Sequence, residues 1–464
     1  MRFRPTWGGI VLPHLNQHKN GTSVVVAIAL LISIGALLRV GVFLISNTDP
    51  SSRQLEPDSF GYLTLAASLQ SGAGFARDVA DAPTHLPIRL PELVRTPGYP
   101  AVIALLGAVT GHGQLATILL QHLLNLIASL MAAVACYRLF GARSAVVVVL
   151  ILTFDLQGIA LSNLILTEVT YGFTLLCIAF VVSRVAIEPT WRLAFVAGGL
   201  LGVSTLLRPT SIALPTLVGL GLALHGLLRR QRKAIVAACI VALVGNVIEA
   251  SWIVRNGIVA GEYTLSTAGR VLFVQHASGG LARAKGIPNQ IAIDQLTASH
   301  GITEARIRFF PLSSTENANV RAFAIDTIRR YKRAFLTEYV IRSTNTLFGP
   351  DKQILIVLGL PFVSFGIHPP DRPVAATFTP LSWLLLGFQI AWLAVVYLLG
   401  LKTLLLAVRG GRTPMAVWIC LSLTTYVIVL SCGFPGDPRY RWPVIPLLTV
   451  VAAGSFRSKS HVAS

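Results

Sequence analysis

Long apolar runs, nearly free of charge, constrain this chain more than any other feature. A membrane-spanning helix needs roughly 20 consecutive apolar residues. Such runs recur at Thr22 to Ile45, Leu115 to Leu139, Val169 to Ile187, Ile235 to Val254, Leu381 to Val408 and Ala416 to Cys432. Only 12% of the 464 residues are charged, against roughly a quarter in a soluble domain. Lipid is therefore the solvent for most of the surface, and an all-α polytopic membrane protein is expected. The first run is long and lacks a small-residue cleavage site, so it is expected to stay as an anchor.

The net charge of +19 would suggest nucleic acid in a soluble protein, but basic residues also gather in the cytoplasmic loops of membrane proteins. No basic-aromatic module supports a nucleic-acid partner. Cys136, Cys177, Cys239, Cys420 and Cys432 are scattered through apolar runs without metal-ligand spacing, and read as small core residues. The Asn20-Gly21-Thr22 sequon is discounted because it falls on the expected inner face.

Charge also orients the chain. Arg2, Arg4 and Lys19 place the N-terminus inside. Arg138 and Arg143, Arg184 and Arg192, and the cluster Arg229-Arg230-Gln231-Arg232-Lys233 mark later returns. Further spans are expected at Ser144 to Ile159, Leu193 to Leu207, Ile212 to Leu228, 415–433 and 443–455. Ile354 to Ile367 is short and broken by Pro361, and is read as an outer, re-entrant piece. Arg409, Arg412, Arg457 and Lys459 then fall inside. The expectation is a bundle of about ten transmembrane helices with both termini cytoplasmic. It divides into a transmembrane module over 1–256 that includes the outer loop 46–97, an outer loop region over 257–351, and C-terminal helices over 352–464. Asn317 to Thr346 alternates apolar and basic residues, as an amphipathic helix lying on the outer leaflet would.

This topology sends the loops Ser46 to Pro97, Asn163 to Glu168, Arg208 to Ser211, Arg255 to Asp351 and Gly433 to Trp442 to one side. They carry the residues that chemistry would need. Pro57 sits where a first helical turn begins, so Asp58 lies at a positive helix end and stays ionised, as a general base must. Tyr62 follows at helical spacing. Arg95-Thr96-Pro97-Gly98-Tyr99-Pro100 fixes Arg95 where the chain enters the membrane. Glu168 opens a span, where an acid is costly and a functional candidate. Asp155 is a weaker candidate that would cap the turn before it. Arg208-Pro209 stands between two apolar runs. Glu249 is a further intramembrane acid, which could simply pair with Arg39 or Arg255. Arg439-Tyr440-Arg441 sets two guanidiniums about a tyrosine at a span mouth, which suits a phosphate. Each feature also has a plainer origin in helix caps, snorkelling side chains and interfacial belts.

In this order the segments resemble the GT-C glycosyltransferases. The bacterial branch related to protein O-mannosyltransferases and lipid A aminoarabinose transferases resembles them most. The pieces are Pro57-Asp58 with Tyr62 and Ala66, Arg95 to Pro100, Thr167-Glu168, Leu207-Arg208-Pro209, Trp252 with Arg255-Asn256, and Arg439-Tyr440 with Pro443 and Pro446. The resemblance implies an enzyme of the cytoplasmic (inner) membrane. It would transfer a hexose or pentose from a polyprenyl-phosphate donor to a lipid, glycan or protein acceptor at the outer face, with inversion. It implies Asp58 as the catalytic carboxylate and Glu168 as the second acid. Arg95, Arg208, Arg439 and Tyr440 would bind the donor phosphate. No cofactor is required by the resemblance, although a divalent cation remains open, because many relatives carry a second acid where this chain has Ser59. The competing reading is a transporter or flippase of an anionic lipid or sugar, whose polar groups are expected nearer the midplane.

Overall fold

A computed structural model describes residues 21–80, 87–301, 314–361, 378–409, 413–431 and 436–457, with residues 303, 307, 312 and 433 between them. Arg2, Arg4, Lys19, Asn20, residues 362–367, Arg412, Cys432 and Lys459 lie outside the described residues. The chain is helical nearly throughout. Six helices are long and apolar enough to cross a membrane: Thr22–Ser46, Gly113–Phe140, Glu168–Ile187, Pro209–Leu228, Arg232–Ala260 and Pro380–Val408. Ala142–Thr153 and Leu156–Ser162 form a seventh if taken together, bent by 56° between them. Gly98–Thr110, Trp191–Leu207 and Met415–Ser431 are shorter and apolar.

The long helices are apolar around their whole circumference, the mark of a helix with no water-facing side. Leu37, Leu243 and Ile258, among many others, are exposed to the surroundings. Lipid gives apolar side chains no reason to cluster, so helices associate through close packing of small residues. A Cβ on Gly198 would stand 2.8 Å from the Val241 carbonyl, and one on Gly245 2.6 Å from Pro215. These contacts lock Trp191–Leu207, Leu214–Leu228 and Arg232–Ala260 together.

The Leu214–Leu228 helix starts beside Arg208 and ends at Arg229. Its 15 residues rise about 1.5 Å each, so the Arg229 to Lys233 cluster stands at the far end of the bundle from Arg208. The loops at the near end are structured. Pro57–Gln70 is a helix, and Ala76–Ala80 pairs antiparallel with Pro87–Pro91 in a two-stranded ribbon not expected from the sequence. The second loop has its own apolar cluster around Phe273, Ala277, Ile293, Val320 and Ala324. The expected amphipathic helix over 317–346 is two helices, Ser314–Arg330 and Lys332–Phe348, broken at Tyr331. The break lets the first pack on the loop cluster while the second keeps Leu336 and Val340 exposed.

Candidate active site

Asp58 and Glu168 are brought to one place by ties between loops. Pro57 occupies the first helical turn and Asp58 follows it, with Glu56 as the cap residue. Ser59, fully buried, accepts a hydrogen bond from the Glu56 amide at 2.9 Å and donates one to the Ile165 carbonyl at 2.9 Å. The serine that stands beside Asp58 thus fastens this helix to the turn ahead of Glu168. On the other side, Gln121 donates to the Ser162 and Leu164 carbonyls and accepts from Tyr99. The Glu168–Ile187 helix begins on Glu168 itself, which is 2% exposed.

Three arginines close on these two acids. Arg439 Nη2 donates to Asp58 Oδ2 at 2.6 Å, and its Nε lies 3.9 Å from Glu168 Oε1. Arg95 Nη2 is 3.5 Å from Asp58 Oδ1, and Arg208 Nη2 is 3.5 Å from Glu168 Oε1. Tyr440 accepts from Arg439 at 3.1 Å and presents its ring to Arg208, whose Cζ is 5.0 Å from the centroid. Tyr62 packs edge-on against Tyr99 and lies under Arg95. Burial acts to raise the Asp58 pKa, but Arg439 above all, with Arg95 and Arg208, outweighs it and holds the carboxyl below its ordinary value. Among the described residues, Glu168 Oε2, Arg208 Nη1 and Arg439 Nε have no hydrogen-bond partner.

The group opens on a cavity of about 700 Å³. Asp58 and Arg95 from the first loop, Glu168, Arg208, Gln275 and Arg321 from the second long loop, and Tyr440 all line it. Each of the five loops that charge sends to one side contributes at least one residue. The remaining candidates lie elsewhere. Asp155 caps Leu156–Ser162 through the Gly158 amide and accepts from Trp442 Nε1 at 2.7 Å, so it anchors the turn that carries Arg439. Arg441 donates to the Thr346 and Gly349 carbonyls, away from the cavity. Arg255 donates to the Phe75 and Glu92 carbonyls and stacks on Trp252, bracing the first loop. The pairing expected for Glu249 is not made. Arg39 is taken by Asn125 and its own helix, and Glu249 has no ion pair among the described residues.

Two residues that position Arg95 carry no sequence signal of their own. Glu92 accepts from the Val94 and Arg95 amides at 2.6 and 3.0 Å, curling the chain just before Arg95. Gly61 leaves room for the guanidinium, since a Cβ there would stand 2.5 Å from Arg95 Cζ. The donor set does not suit a divalent cation. Among the described residues no three His, Cys, Asp or Glu side chains converge, and Arg95, Arg208 and Arg439 already supply the positive charge beside both acids.

The fold and this charged cavity define a polytopic membrane protein with a site built at the ends of its spans. Residues 94–252, which include Arg95, Glu168 and Arg208, match the family model of dolichyl-phosphate-mannose-protein mannosyltransferases. Among solved structures, the chain is similar to the archaeal oligosaccharyltransferase AglB from Archaeoglobus fulgidus in complex with an inhibitory peptide and a dolichol-phosphate. That similarity has 11% identity and a TM-score of 0.48, and covers 91% of this chain and 50% of that one. The apo form of the same organism's oligosaccharyltransferase gives 13% identity and a TM-score of 0.49 over 92% and 50%. ArnT from Cupriavidus metallidurans bound to undecaprenyl phosphate gives 15% identity and a TM-score of 0.39 over 95% and 78%. The chain thus spans about half the length of the archaeal enzymes. No curated protein matches it in sequence.

Proposed function

We propose that this chain is an inverting membrane glycosyltransferase that moves a sugar from a polyprenyl-phosphate donor to a hydroxyl-bearing acceptor at the outer face of the cytoplasmic membrane. One observation carries the reading: three arginines from three separate loops meet two carboxylates, with Arg95, Arg208, Asp58 and Glu168 lining a single cavity at the ends of the spans and Arg439 buried behind them. A lone acid pair would suit many tasks. Arg439 also faces Asp437 at 3.9 Å, so the guanidiniums that line the cavity for a sugar-lipid phosphodiester are those of Arg95 and Arg208. The resemblance to GT-C enzymes points the same way, and solved neighbours carry dolichol-phosphate or undecaprenyl phosphate.

In this reading the donor phosphate sits among Arg95, Arg208 and Arg439, with its prenyl chain running into the bilayer. Asp58 takes the proton of the acceptor hydroxyl as that oxygen attacks the anomeric carbon from the face opposite the phosphate. The bond from the anomeric carbon to the phosphate oxygen breaks, and the lipid phosphate leaves with the electron pair. The arginines are fixed in advance at the oxygens where negative charge grows, so they favour the transition state over the ground state. Glu168 holds Arg208 and Arg439 in place and keeps one oxygen for the acceptor or the sugar.

The test uses the purified full chain in lipid nanodiscs with a panel of polyprenyl-phosphate-linked sugars. The wild type is expected to transfer at least one of them. Asp58→Asn is expected to lose about 10²- to 10⁴-fold in rate, the usual cost of a positioned base, while still binding donor lipid. A folded Asp58→Asn protein with near-native transfer would end the proposal. Orientation has its own check. A membrane-impermeant thiol reagent should reach Ser71→Cys and Gln231→Cys from opposite sides, and labelling of both from one side would overturn the assigned face.

A further inference from the structure

The cavity has two unlike halves. Its floor is the charged group of Asp58, Glu168 and the arginines. The facing wall is built by the second long loop. There the helical run from Ala268 to Lys285 is interrupted by a π-helical stretch, Leu272–Ala277. A π-turn inserts one extra residue per hydrogen-bonded ring and re-aims the side chains around it, and such turns recur at functional sites. Gln275 and His276 from this stretch line the cavity. The Ser314–Arg330 helix lies alongside, close enough that a Cβ on Gly269 would stand 2.6 Å from Asn317 Oδ1 and 3.4 Å from Arg321 Cβ. Asn317 and Arg321 are one turn apart and face the same cavity.

These polar groups are left over by the fold. Asn317 Oδ1 and, on the adjoining wall, Ser431 Oγ are buried without a hydrogen-bond partner among the described residues. Among the described residues, the side chains of Gln275 and Arg321 make no hydrogen bond and no ion pair. Buried polar atoms without partners are costly and uncommon in native proteins, so Asn317 Oδ1 and Ser431 Oγ call for a polar ligand, with the half-buried Gln275 and the exposed Arg321 beside them. His276 is pushed down to about 4 by burial, with Arg342 adding to the effect. At neutral pH its ring is therefore uncharged and offers hydrogen bonds only. Arg321 is then the one cation among the described residues lining this wall. On the floor each arginine already faces at least one acid, whereas no acid among the described residues pairs with Arg321.

We infer that this wall is the acceptor subsite and that it takes a polar acceptor bearing an anionic group, a carboxylate or a phosphate, held by Arg321 with Gln275 and Asn317 as neutral hydrogen-bond partners. The inference rests on the glycosyl-transfer reading for the word acceptor. Its test is a binding measurement that needs no turnover. The full chain in nanodiscs is first titrated with undecaprenyl phosphate, which reports on the floor alone. With that lipid bound, the affinities of octyl glucuronide, n-octyl phosphate and uncharged octyl glucoside are compared. A charge-assisted hydrogen bond should favour at least one anionic probe by about tenfold. Arg321→Gln should erase the preference, and Arg321→Lys should keep part of it; both should leave undecaprenyl phosphate binding unchanged. Equal affinities for the three probes in the wild type, or an undiminished preference in Arg321→Gln, would overturn the subsite. Failure of undecaprenyl phosphate to bind would instead count against the transferase reading, and the probe comparison between wild type and Arg321→Gln would still decide the anion site.

Discussion

The floor and the wall of the cavity solve opposite problems. On the floor, charged groups answer one another: Asp58 is held by Arg439 and Arg95, and Glu168 by Arg208 and Arg439. On the wall, the side chains of Gln275 and Arg321 and the Oδ1 of Asn317 have no partner among the described residues. A floor of mutually fixed charges is organised before any ligand arrives, which is what stabilising a departing phosphate requires. A wall with unspent hydrogen-bonding capacity is completed only by its ligand, which favours selectivity, because a ligand lacking the matching groups leaves the buried Asn317 Oδ1 unpaired.

Substitutions can break or sharpen this contrast. The largest effect on donor binding is expected from Arg439→Gln, which strips charge from both acids at once. Undecaprenyl phosphate affinity should fall by about 10- to 100-fold, the range expected for one lost charge-assisted contact. The same variant should move the acid limb of the pH–rate profile. Asp58 is held below its ordinary value, so the ionised base and the stability it lends persist above that value and fade only as pH falls through the depressed one. Without Arg439 the depression shrinks, and the loss should begin at a higher pH. An unmoved limb would show that Asp58 is not the group being titrated.

A smaller effect is expected from Gly61→Ala, because the added methyl displaces a guanidinium and leaves its charge in place. Donor affinity should drop by about tenfold at most, with the protein still folded; wild-type affinity would mean that Arg95 has another position from which to work. The smallest donor effect is expected from Gln275→Ala. It should leave undecaprenyl phosphate binding within about twofold, the scale of a substitution remote from the ligand's contacts, while raising the KM for acceptor. A larger loss of donor binding would mean that the two halves are coupled, and the contrast between them would fail.

The convergence of five loops is legible in the sequence because basic clusters fix which loops share a side, and Pro57, Pro97 and Pro209 announce where each loop meets its helix. Asp58, Glu168, Arg95, Arg208 and Arg439 stand out in those loops as candidates, and the resemblance to GT-C enzymes is what singles them out together. What escapes is the set of residues whose meaning depends on a neighbour far along the chain. Glu92 reads as an ordinary loop acid until its carboxylate is seen capping the turn before Arg95. Gly61 reads as a weak point in a short helix until Arg95 occupies the missing side chain's space. Asn317 and Arg321 lie in a stretch whose basic-apolar alternation suggests only contact with lipid, and Gln275 lies in the outer loop before it. The π-turn that aims Gln275 has no compositional mark. Glu249 errs in the other direction, since sign and proximity along the helix suggested a pairing that the packing does not make.

The contact between Arg439 and Asp58 joins residues 381 positions apart in the chain. Membrane proteins are threaded into the bilayer from the N-terminus as they are synthesised, and domains generally fold in that order. Asp58 and Glu168 are therefore laid down long before the residue that neutralises both of them exists. Until the final helices enter, the early bundle carries two incompletely compensated acids near the ends of its spans, and it has no competent centre. Assembly of the last segment is thus a checkpoint in biogenesis. A ribosome that stops short of residue 439 leaves Asp58 and Glu168 without the arginine that both of them face.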